Sequence, residues 1–148
     1  DLDAYIGAAL AEQAAGTALP FALVDPATGA AIGSTRYGNV APEHERLEIG
    51  WTWVGAPWQR TAVNTEAKLL LLRHAFEALG ARRVEFKTDA RNARSRAALV
   101  RLGAVEEGTL RQHMTTQGGF VRDTVYFSIL AGEWPGVSRH LSERLDRA

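Results

Sequence analysis

The chain has 148 residues, no cysteine, and 17 basic against 17 acidic residues, so its formal net charge is zero. This length suits one domain that buries roughly two thirds of the surface exposed by the unfolded chain. The lack of cysteine excludes a disulfide framework, a thiolate metal site and a cysteine nucleophile. Zero net charge provides no global field toward nucleic acid or an anionic membrane, and no apolar run is long enough to span one.

Hydrophobic spacing and turn residues predict the first half of the chain. Apolar residues three and four apart predict a helix over residues 1–15, and two short apolar runs predict a hairpin of strands over 19–25 and 30–37. The next residues, 38–45, are polar and include a proline, which favours a loop. Alternating apolar and polar residues then predict a strand over 46–54.

The second half of the chain continues with the same two kinds of spacing. Its predicted elements are, in chain order, a helix over 64–79, a strand over 82–89, a helix over 92–102, strands over 107–116 and 120–130, and a helix over 138–147. This order predicts an α/β (α+β) fold in which a mixed central sheet carries helices on its faces. No linker or repeat divides the chain, so we expect one domain over residues 1–148.

Two apolar patterns predict the core. Trp51 and Trp53 alternate with strand period on the apolar face of their strand, so we expect them to pack in the core, while Glu48 and Thr52 lie on the polar face. The long helix should pack on the sheet through an apolar stripe of Leu69, Leu72, Phe76 and Leu79.

The loop before the long helix, residues 58–63, has the features of an anion site. A helix N-terminus presents about four backbone N–H groups without partners and roughly half a positive charge. The segment lacks the Gly-Lys-Ser/Thr ending of a nucleotide phosphate loop and the glycine triplet of a dinucleotide site. On these residues alone, an anion site is no better supported than a plain loop in which Thr61 is a turn residue and Asn64 a cap.

The same loop resembles the pyrophosphate-binding motif of the GNAT acetyltransferases, Gln/Arg-x-x-Gly-x-Gly/Ala. Gln59, Ala62 and Asn64 stand at its first, fourth and sixth positions, and the Thr-Glu-Ala of residues 65–67 is similar to the helix opening in the branch that acetylates ribosomal proteins. Ala62 and Asn64 depart from the motif. Alanine costs little there if its φ is negative, and asparagine tolerates unusual φ.

A second segment carries the same resemblance. Asn92 and Ser95 are similar to the family's Asn-x-x-Ser, and their spacing puts both on one face of the predicted helix. In the family this asparagine contacts the cofactor's pantetheine, although an N-cap role also fits Asn92. Residues 122–123 and 133–137 resemble the same ribosomal-alanine acetyltransferase branch, so the similarity covers nearly the whole chain.

The resemblance implies acetyl-CoA as cosubstrate and a GNAT-like, mostly antiparallel sheet. No cluster of residues has metal-ligand spacing, so we expect no metal. It also implies an N-terminal strand and helix of roughly 30 to 40 residues that would precede Asp1. The cofactor-binding residues that it implies are Thr52, Trp53, Val54, Gln59, Arg60, Thr61, Ala62, Val63, Asn64, Asn92 and Ser95.

Acetyl transfer needs a base that takes a proton from the attacking amine. Glu48 is the first candidate, with a solvated strand carboxylate as the alternative interpretation. His44 and Glu45 come second, and His113 is a candidate for the acceptor cleft.

The family's usual acid, a tyrosine seven residues after the motif asparagine, is replaced here by Leu99. Tyr126 and Ser95 are the remaining candidates. Since a thiol has a pKa of about 8.5, the thiolate can also leave without an acid.

Four arginines lie in or just before the predicted helix over residues 92–102: Arg91, Arg94, Arg96 and Arg101. We expect one or two to meet the cofactor's 3′-phosphate. Binding of nucleic acid is the weaker hypothesis, because the chain is neutral and lacks interleaved aromatics. The expected partner is an amine, either a protein N-terminus or a small molecule, with no membrane, a cytoplasmic location and a homodimer left open. The competing hypothesis is a catalytically silent CoA-binding module.

Overall fold

The computed structural model describes residues 1–148, and its elements follow the predicted order. Short 3₁₀ turns lie at Pro42–His44 and Ala56–Trp58. The helices and strands are α1 (Leu2–Ala14), β1 (Leu19–Val24), β2 (Ala31–Ala41), β3 (Arg46–Val54), α2 (Val63–Arg73), β4 (Arg83–Asp89), α3 (Ala93–Leu102), β5 (Val105–Thr115), β6 (Val121–Leu130) and α4 (Trp134–Leu145). No helix combines the length and the apolar composition that crossing a membrane requires.

One mixed sheet joins all six strands in the order β1-β2-β3-β4-β6-β5. All neighbours are antiparallel except β3 and β4, so the predicted mixed, mostly antiparallel sheet is confirmed. Helices α2, α3 and α4 share one core with the sheet. Its most deeply buried members include Ile49, Leu72, Val84, Phe86, Val125, Phe127, Ile129 and Leu141.

The parallel pair β3 and β4 separates after three residues. Arg46 to Glu48 pair with Arg83 to Glu85, and nothing pairs the two strands beyond that point. Both strands nevertheless continue, β3 to Val54 and β4 to Asp89. The sheet therefore opens at Glu48.

Arg36 fastens α1 to the sheet. Its Nη1 donates to Oε2 of Glu12 at 2.8 Å, and its guanidinium lies 5.2 Å from the ring centroid of Tyr5. Tyr37, the next residue of β2, donates from its hydroxyl to the carbonyl of Leu71 in α2. Because neighbouring strand residues point to opposite faces, α1 and α2 lie on opposite faces of the sheet.

Strand β2 continues to Ala41, so the predicted loop over residues 38–45 is wrong in its first half. Gly38 pairs with Glu48 of β3. Asn39 donates from Nδ2 to Oε2 of Glu48 at 2.6 Å. The polar side chain of Asn39, which favoured a loop, therefore has its hydrogen-bond partner, Glu48, inside the sheet.

A β-bulge changes the faces of β3. Trp51 and Thr52 together oppose one residue of β2, Thr35, and Trp51 has a φ of 51°. An extra residue breaks the alternation of side chains along a strand. Trp51 and Trp53 are therefore 43% and 44% exposed, and the prediction that they pack in the core is wrong.

The helix predicted over residues 64–79 changes geometry before its end. His74–Ala78 form a π-helical turn, in which the N–H of Leu79 donates to the carbonyl of His74, five residues earlier, at 3.0 Å. This wider turn displaces Leu79 from the apolar stripe. Leu79 is 55% exposed, which corrects its predicted place in the core.

Helix α4 begins at Trp134, earlier than the predicted start at residue 138. Pro135 lies in its first turn, where a missing N–H removes no intrahelical bond. The buried Trp134 also donates from Nε1 to Oε1 of Glu77 at 2.8 Å, which anchors the helix start.

Candidate functional site

The opening between β3 and β4 leads into a cavity of about 770 Å³ between the sheet and the helices. Residues of β3, β4, α2, α3, α4 and the loop before α2 line it. Of the residues predicted to bind the cofactor, only Ala62 and Val63 do not line it. Those that do are Thr52, Trp53, Val54, Gln59, Arg60, Thr61, Asn64, Asn92 and Ser95.

The charge of this cavity is one-sided. All the charged residues that line it are basic: Arg60, Lys68, Lys87, Arg94, Arg101 and Arg144. Of these only Lys87 forms an ion pair, with Glu48. A chain with zero net charge therefore concentrates unpaired cations in one concave surface, an arrangement that attracts a polyanion.

The loop before α2 leaves the N-terminus of that helix open. Ala62 is the N-cap residue and makes no side-chain capping bond, while the N–H of Val63 reaches Oγ1 of Thr61 at 3.3 Å. Ala62 has a φ of −66°, so the absence of glycine at this position costs the backbone nothing. The loop turns at Arg60, whose φ is 63°. The Thr61 hydroxyl donates to the carbonyl of Trp58 at 2.6 Å.

Gln59 and Asn64 flank this turn in different ways. Gln59 donates from Nε2 to the carbonyl of Val54 at 3.1 Å, which ties the loop to the end of β3. Asn64 lies inside the first turn of α2 and does not cap it, because the helix begins one residue earlier, at Val63. The interpretation of Asn64 as a cap is therefore wrong.

Asn92 caps α3 and lines the cavity at the same time. Its Oδ1 accepts a hydrogen bond from the N–H of Ser95 at 3.0 Å, and both residues face the cavity. Because Oδ1 is engaged, the amide nitrogen of Asn92 is the group left to meet a ligand.

The four arginines near α3 divide into two pairs. Arg91 binds Asp89 at 2.9 Å, and Arg96 binds Glu106 at 3.2 Å. Arg94 and Arg101 line the cavity instead. Only Arg94 and Arg101 are therefore available to a ligand in the cavity.

Lys68 is a cavity residue that the sequence analysis missed. It is 7% exposed, and its Nζ donates to Oγ1 of Thr52 at 2.7 Å. Burial lowers the pKa of Lys68 to about 8. The available signal was its position one helical turn before the buried Leu72, which places a lysine on the apolar face of α2.

Glu48 lies at the point where the sheet opens. It is 6% exposed, so the interpretation of a solvated carboxylate is wrong. Its Oε2 accepts hydrogen bonds from Asn39 and, at 2.8 Å, from Lys87. Burial lowers the pKa of Lys87, but the hydrogen bond and charge of Glu48 outweigh burial and raise it above its usual value. Glu48 itself does not line this cavity.

A second cavity, of about 590 Å³, lies on the other face of β4. Its lining includes Asn39, Arg46, Glu85, Lys87 and Tyr126. Lys87 lines both cavities, so its side chain lies where they approach each other.

The remaining candidates do not meet at one point. Tyr126 borders the second cavity, with its ring centroid 5.1 Å from Nζ of Lys87, whereas Ser95 borders the first. His113 lines neither cavity, and its Nδ1 lies 3.0 Å from Oγ1 of Thr124. Leu99 faces the first cavity, whose lining includes no tyrosine. His44 and Glu45 are exposed and border neither cavity.

Comparison with known proteins agrees with this geometry. A sequence profile described as the acetyltransferase (GNAT) domain matches residues 1–105. The chain is 32% identical over 108 residues to YdaF of Bacillus subtilis (strain 168), whose name proposes a ribosomal N-acetyltransferase. That match covers 73% of this chain and 58% of YdaF, so the chain spans little more than half of this relative.

Solved structures resemble the chain over most of its length. A crystal structure from T. thermophilus, described as a proposed acetyltransferase, is 42% identical with a TM-score of 0.86, covering 96% of this chain and 72% of that one. Mycobacterium smegmatis RimJ in complex with CoA-disulfide is 29% identical with a TM-score of 0.81, covering 97% and 68% of the two chains.

Proposed function

Because the chain belongs to the GNAT acetyltransferase family, we propose that its larger cavity binds acetyl-CoA and that the protein transfers the acetyl group to a primary amine. The observation that carries this proposal is that every charged residue lining that cavity is basic, in a chain without net charge. CoA bears a pyrophosphate and a 3′-phosphate, so it is a polyanion of suitable charge.

The residues of the cavity fit the parts of this molecule. The uncapped N-terminus of α2 and the loop from Gln59 to Asn64 would hold the pyrophosphate. Arg94 and Arg101, which have no carboxylate partner, would meet the 3′-phosphate. The edge of β3 that faces the opening has no neighbouring strand after Glu48, so it can pair with the amides of the pantetheine arm.

Bound acetyl-CoA would supply the activated acyl group, and the chain would supply position and polarity. Backbone N–H groups of the β3 segment from Thr52 to Val54 would polarise the acyl carbonyl of acetyl-CoA. Losing one such donor costs about 3 to 4 kcal/mol of transition-state stabilisation in other enzymes. Holding both reactants together in the opening would provide most of the remaining acceleration.

The amine would enter through the second cavity and lose its proton to Glu48, directly or through water. Asn39 and Lys87 line that cavity and both hydrogen-bond Glu48, which supports this route. Ser95 borders the cavity for the cofactor, so it is the better placed of the two candidate acids, and Tyr126 would face the amine.

The acceptor that we favour is a protein N-terminus. The name of YdaF, which proposes a ribosomal N-acetyltransferase, supports a ribosomal protein substrate, and a small amine is the alternative. A single domain over residues 1–148, a cytoplasmic location and a homodimer stay predictions.

A silent CoA-binding module is the second candidate, because Leu99 replaces the family's tyrosine and Glu48 is held in an ion pair. Calorimetric titration with acetyl-CoA, followed by thiol release in the presence of amines and N-terminal peptides, separates the two. Turnover supports the enzyme, binding without turnover on any acceptor supports the module, and no binding contradicts both.

The same titration tests the assignment of the arginines. Replacing Arg94 and Arg101 by alanine should weaken CoA binding at least tenfold but leave binding of 3′-dephospho-CoA nearly unchanged. An Arg91→Ala and Arg96→Ala protein is the matched control, because those side chains are paired with carboxylates away from the cavity. Equal losses for both ligands would contradict the assignment of the 3′-phosphate.

A further inference from the structure

The bulge in β3 is an unfavourable conformation that lies at the edge of the larger cavity. Trp51 has a φ of 51°, a left-handed backbone that a residue with a Cβ atom adopts at a cost. Trp51 and Thr52 both line the cavity. Strained residues of this kind persist only where their surroundings hold them in place.

The side of the bulge that faces α2 is held by a chain of hydrogen bonds. Lys68 donates from Nζ to Oγ1 of Thr52 at 2.7 Å, and that oxygen lies 2.8 Å from Oγ1 of Thr35. The Thr35 hydroxyl also reaches the carbonyl of Gly50 at 3.4 Å. The contacts therefore join α2 to the strand residues on both sides of Trp51 and to the opposing residue of β2.

The side of the bulge that faces α1 is held independently of Lys68. The carbonyl of Trp51 accepts a hydrogen bond from the Tyr5 hydroxyl at 3.4 Å. The indole ring of Trp51 lies with its centroid 5.1 Å from the guanidinium of Arg36. The ring also fills the space beside Gly38, where a Cβ would meet it at 2.3 Å. These contacts orient the tryptophan and leave the hydroxyl of Thr52 to Lys68.

A simple stability role explains Lys68 poorly. A buried ammonium carries a desolvation penalty that one hydrogen bond to a neutral hydroxyl does not offset. Lys68 has no carboxylate partner, and the other charged groups lining the cavity are all cations, namely Arg60 of the loop, Lys87 of β4, Arg94 and Arg101 of α3, and Arg144 of α4. Packing and stability alone therefore do not explain a lysine at this position.

We propose that Lys68 is a positioning residue for acetyl transfer, which acts through Thr52 to hold the bulge and so keeps the open edge of β3 directed at the cavity. This inference rests on the proposed function. It assigns to α2 two tasks at one site, because the start of the helix would bind the pyrophosphate while its second turn fixes the strand that binds the pantetheine arm.

The test is a double-mutant cycle of Lys68→Met and Thr52→Val, each of which removes one end of the hydrogen bond with little change in volume. In the ligand-free protein, each variant should raise amide hydrogen exchange in the segment from Gly50 to Val54 at least tenfold. The double variant should exceed neither single variant, because both break the same contact. Arg73→Met, which removes an exposed charge from the same helix, is the matched control and should leave exchange at wild-type rates.

Kinetics separate positioning from a plain structural role. Lys68→Met and Thr52→Val should each lower kcat about tenfold or more and raise KM for acetyl-CoA less than kcat falls. Thr52→Ser keeps the hydroxyl and should lie closer to wild type than Thr52→Val. Should Thr52→Val fail to fold, the Lys68→Met and Thr52→Ser proteins still supply the comparison.

Three results would overturn the inference: unchanged exchange in Lys68→Met, additive losses in the cycle, or a rise in KM alone, which would indicate that Lys68 only attracts the anion. A wild-type protein that binds no CoA would instead refute the proposed function. Because the exchange measurement uses no ligand, the two failures are distinguishable.

Discussion

Lys87 and Glu48 form an ion pair across the opening of the sheet, with 2.8 Å between Nζ and Oε2. The strands that carry them are no longer paired at this level, since the last pair joins Glu48 to Glu85. Lys87 borders both cavities, whereas Glu48 borders neither.

Replacing Glu48 by glutamine should lower kcat for acetyl transfer roughly a hundredfold, because the proposed general base is lost. CoA affinity should change little, since Glu48 does not line the larger cavity. Steady-state rates between pH 6 and 9 test this. Glu45→Gln, on an exposed turn, is the matched control, and a loss confined to Glu45→Gln would transfer the role to that residue.

Replacing Ala62 by glycine restores the family's motif but should not improve binding. The φ of Ala62 is −66°, a value that alanine adopts freely, so the backbone gains nothing from glycine. Glycine loses more conformational entropy on folding, and we expect a loss of stability of about 0.5–1 kcal/mol. Calorimetric titration and urea unfolding measure the two effects. A clear gain in CoA affinity would mean that the loop adopts another conformation when it binds.

Lys68 should make the protein more stable as pH rises from about 8 to 10.5. Burial lowers the pKa of Lys68 from 10.5 to about 8, so in this window the unfolded chain holds a proton that the folded chain has released. Below pH 8 both states are protonated, and the full cost of burying the charge applies.

The measurement is urea unfolding across this pH range. Relative to Lys68→Met, the wild-type free energy of unfolding should gain on the order of 3 kcal/mol across the window. Arg73→Met should show no such trend against wild type, because that side chain is exposed. A flat difference between wild type and Lys68→Met would show that Lys68 keeps its usual pKa in the folded protein.

Glu107 should contribute to acid denaturation. A hydrogen bond from Arg83, with Nη1 2.7 Å from Oε1, lowers the pKa of Glu107 to about 2, against the opposing effect of burial. The group therefore stabilises the fold above its unfolded pKa of 4.5, and this contribution disappears as pH falls from 4.5 toward 2.

Glu107→Gln should reduce the slope of stability against pH in that range. Because the side chain is 37% exposed, the loss near neutral pH should stay below about 1 kcal/mol. Thermal unfolding at a series of pH values tests this, with Glu43→Gln as the control at an exposed carboxylate. Parallel profiles for wild type and Glu107→Gln would contradict the assignment.

Local patterns predicted most of the fold because helices and strands have short periods. Errors arose where a contact from elsewhere overrode the pattern. Asn39 looks like a loop residue until Glu48 is placed beside it, and Trp51 looks like a core residue until the bulge turns it outward. The π-helical turn likewise removes Leu79 from the apolar stripe that regular helical spacing predicts.

The amino-acid sequence by itself determined the order of the elements, the resemblance of the loop before α2 to a pyrophosphate-binding motif and the resemblance of Asn92 and Ser95 to a cofactor site. These features depend on residues a few positions apart, whose geometry the backbone dictates. Only the tertiary structure decided which charged groups lie around the candidate site. Lys68 meets Thr52, and Glu48 meets Lys87, across 16 and 39 residues of chain. These long-range contacts depend on where β3 bulges and where it stops pairing with β4. The local spacing of apolar residues predicts neither position.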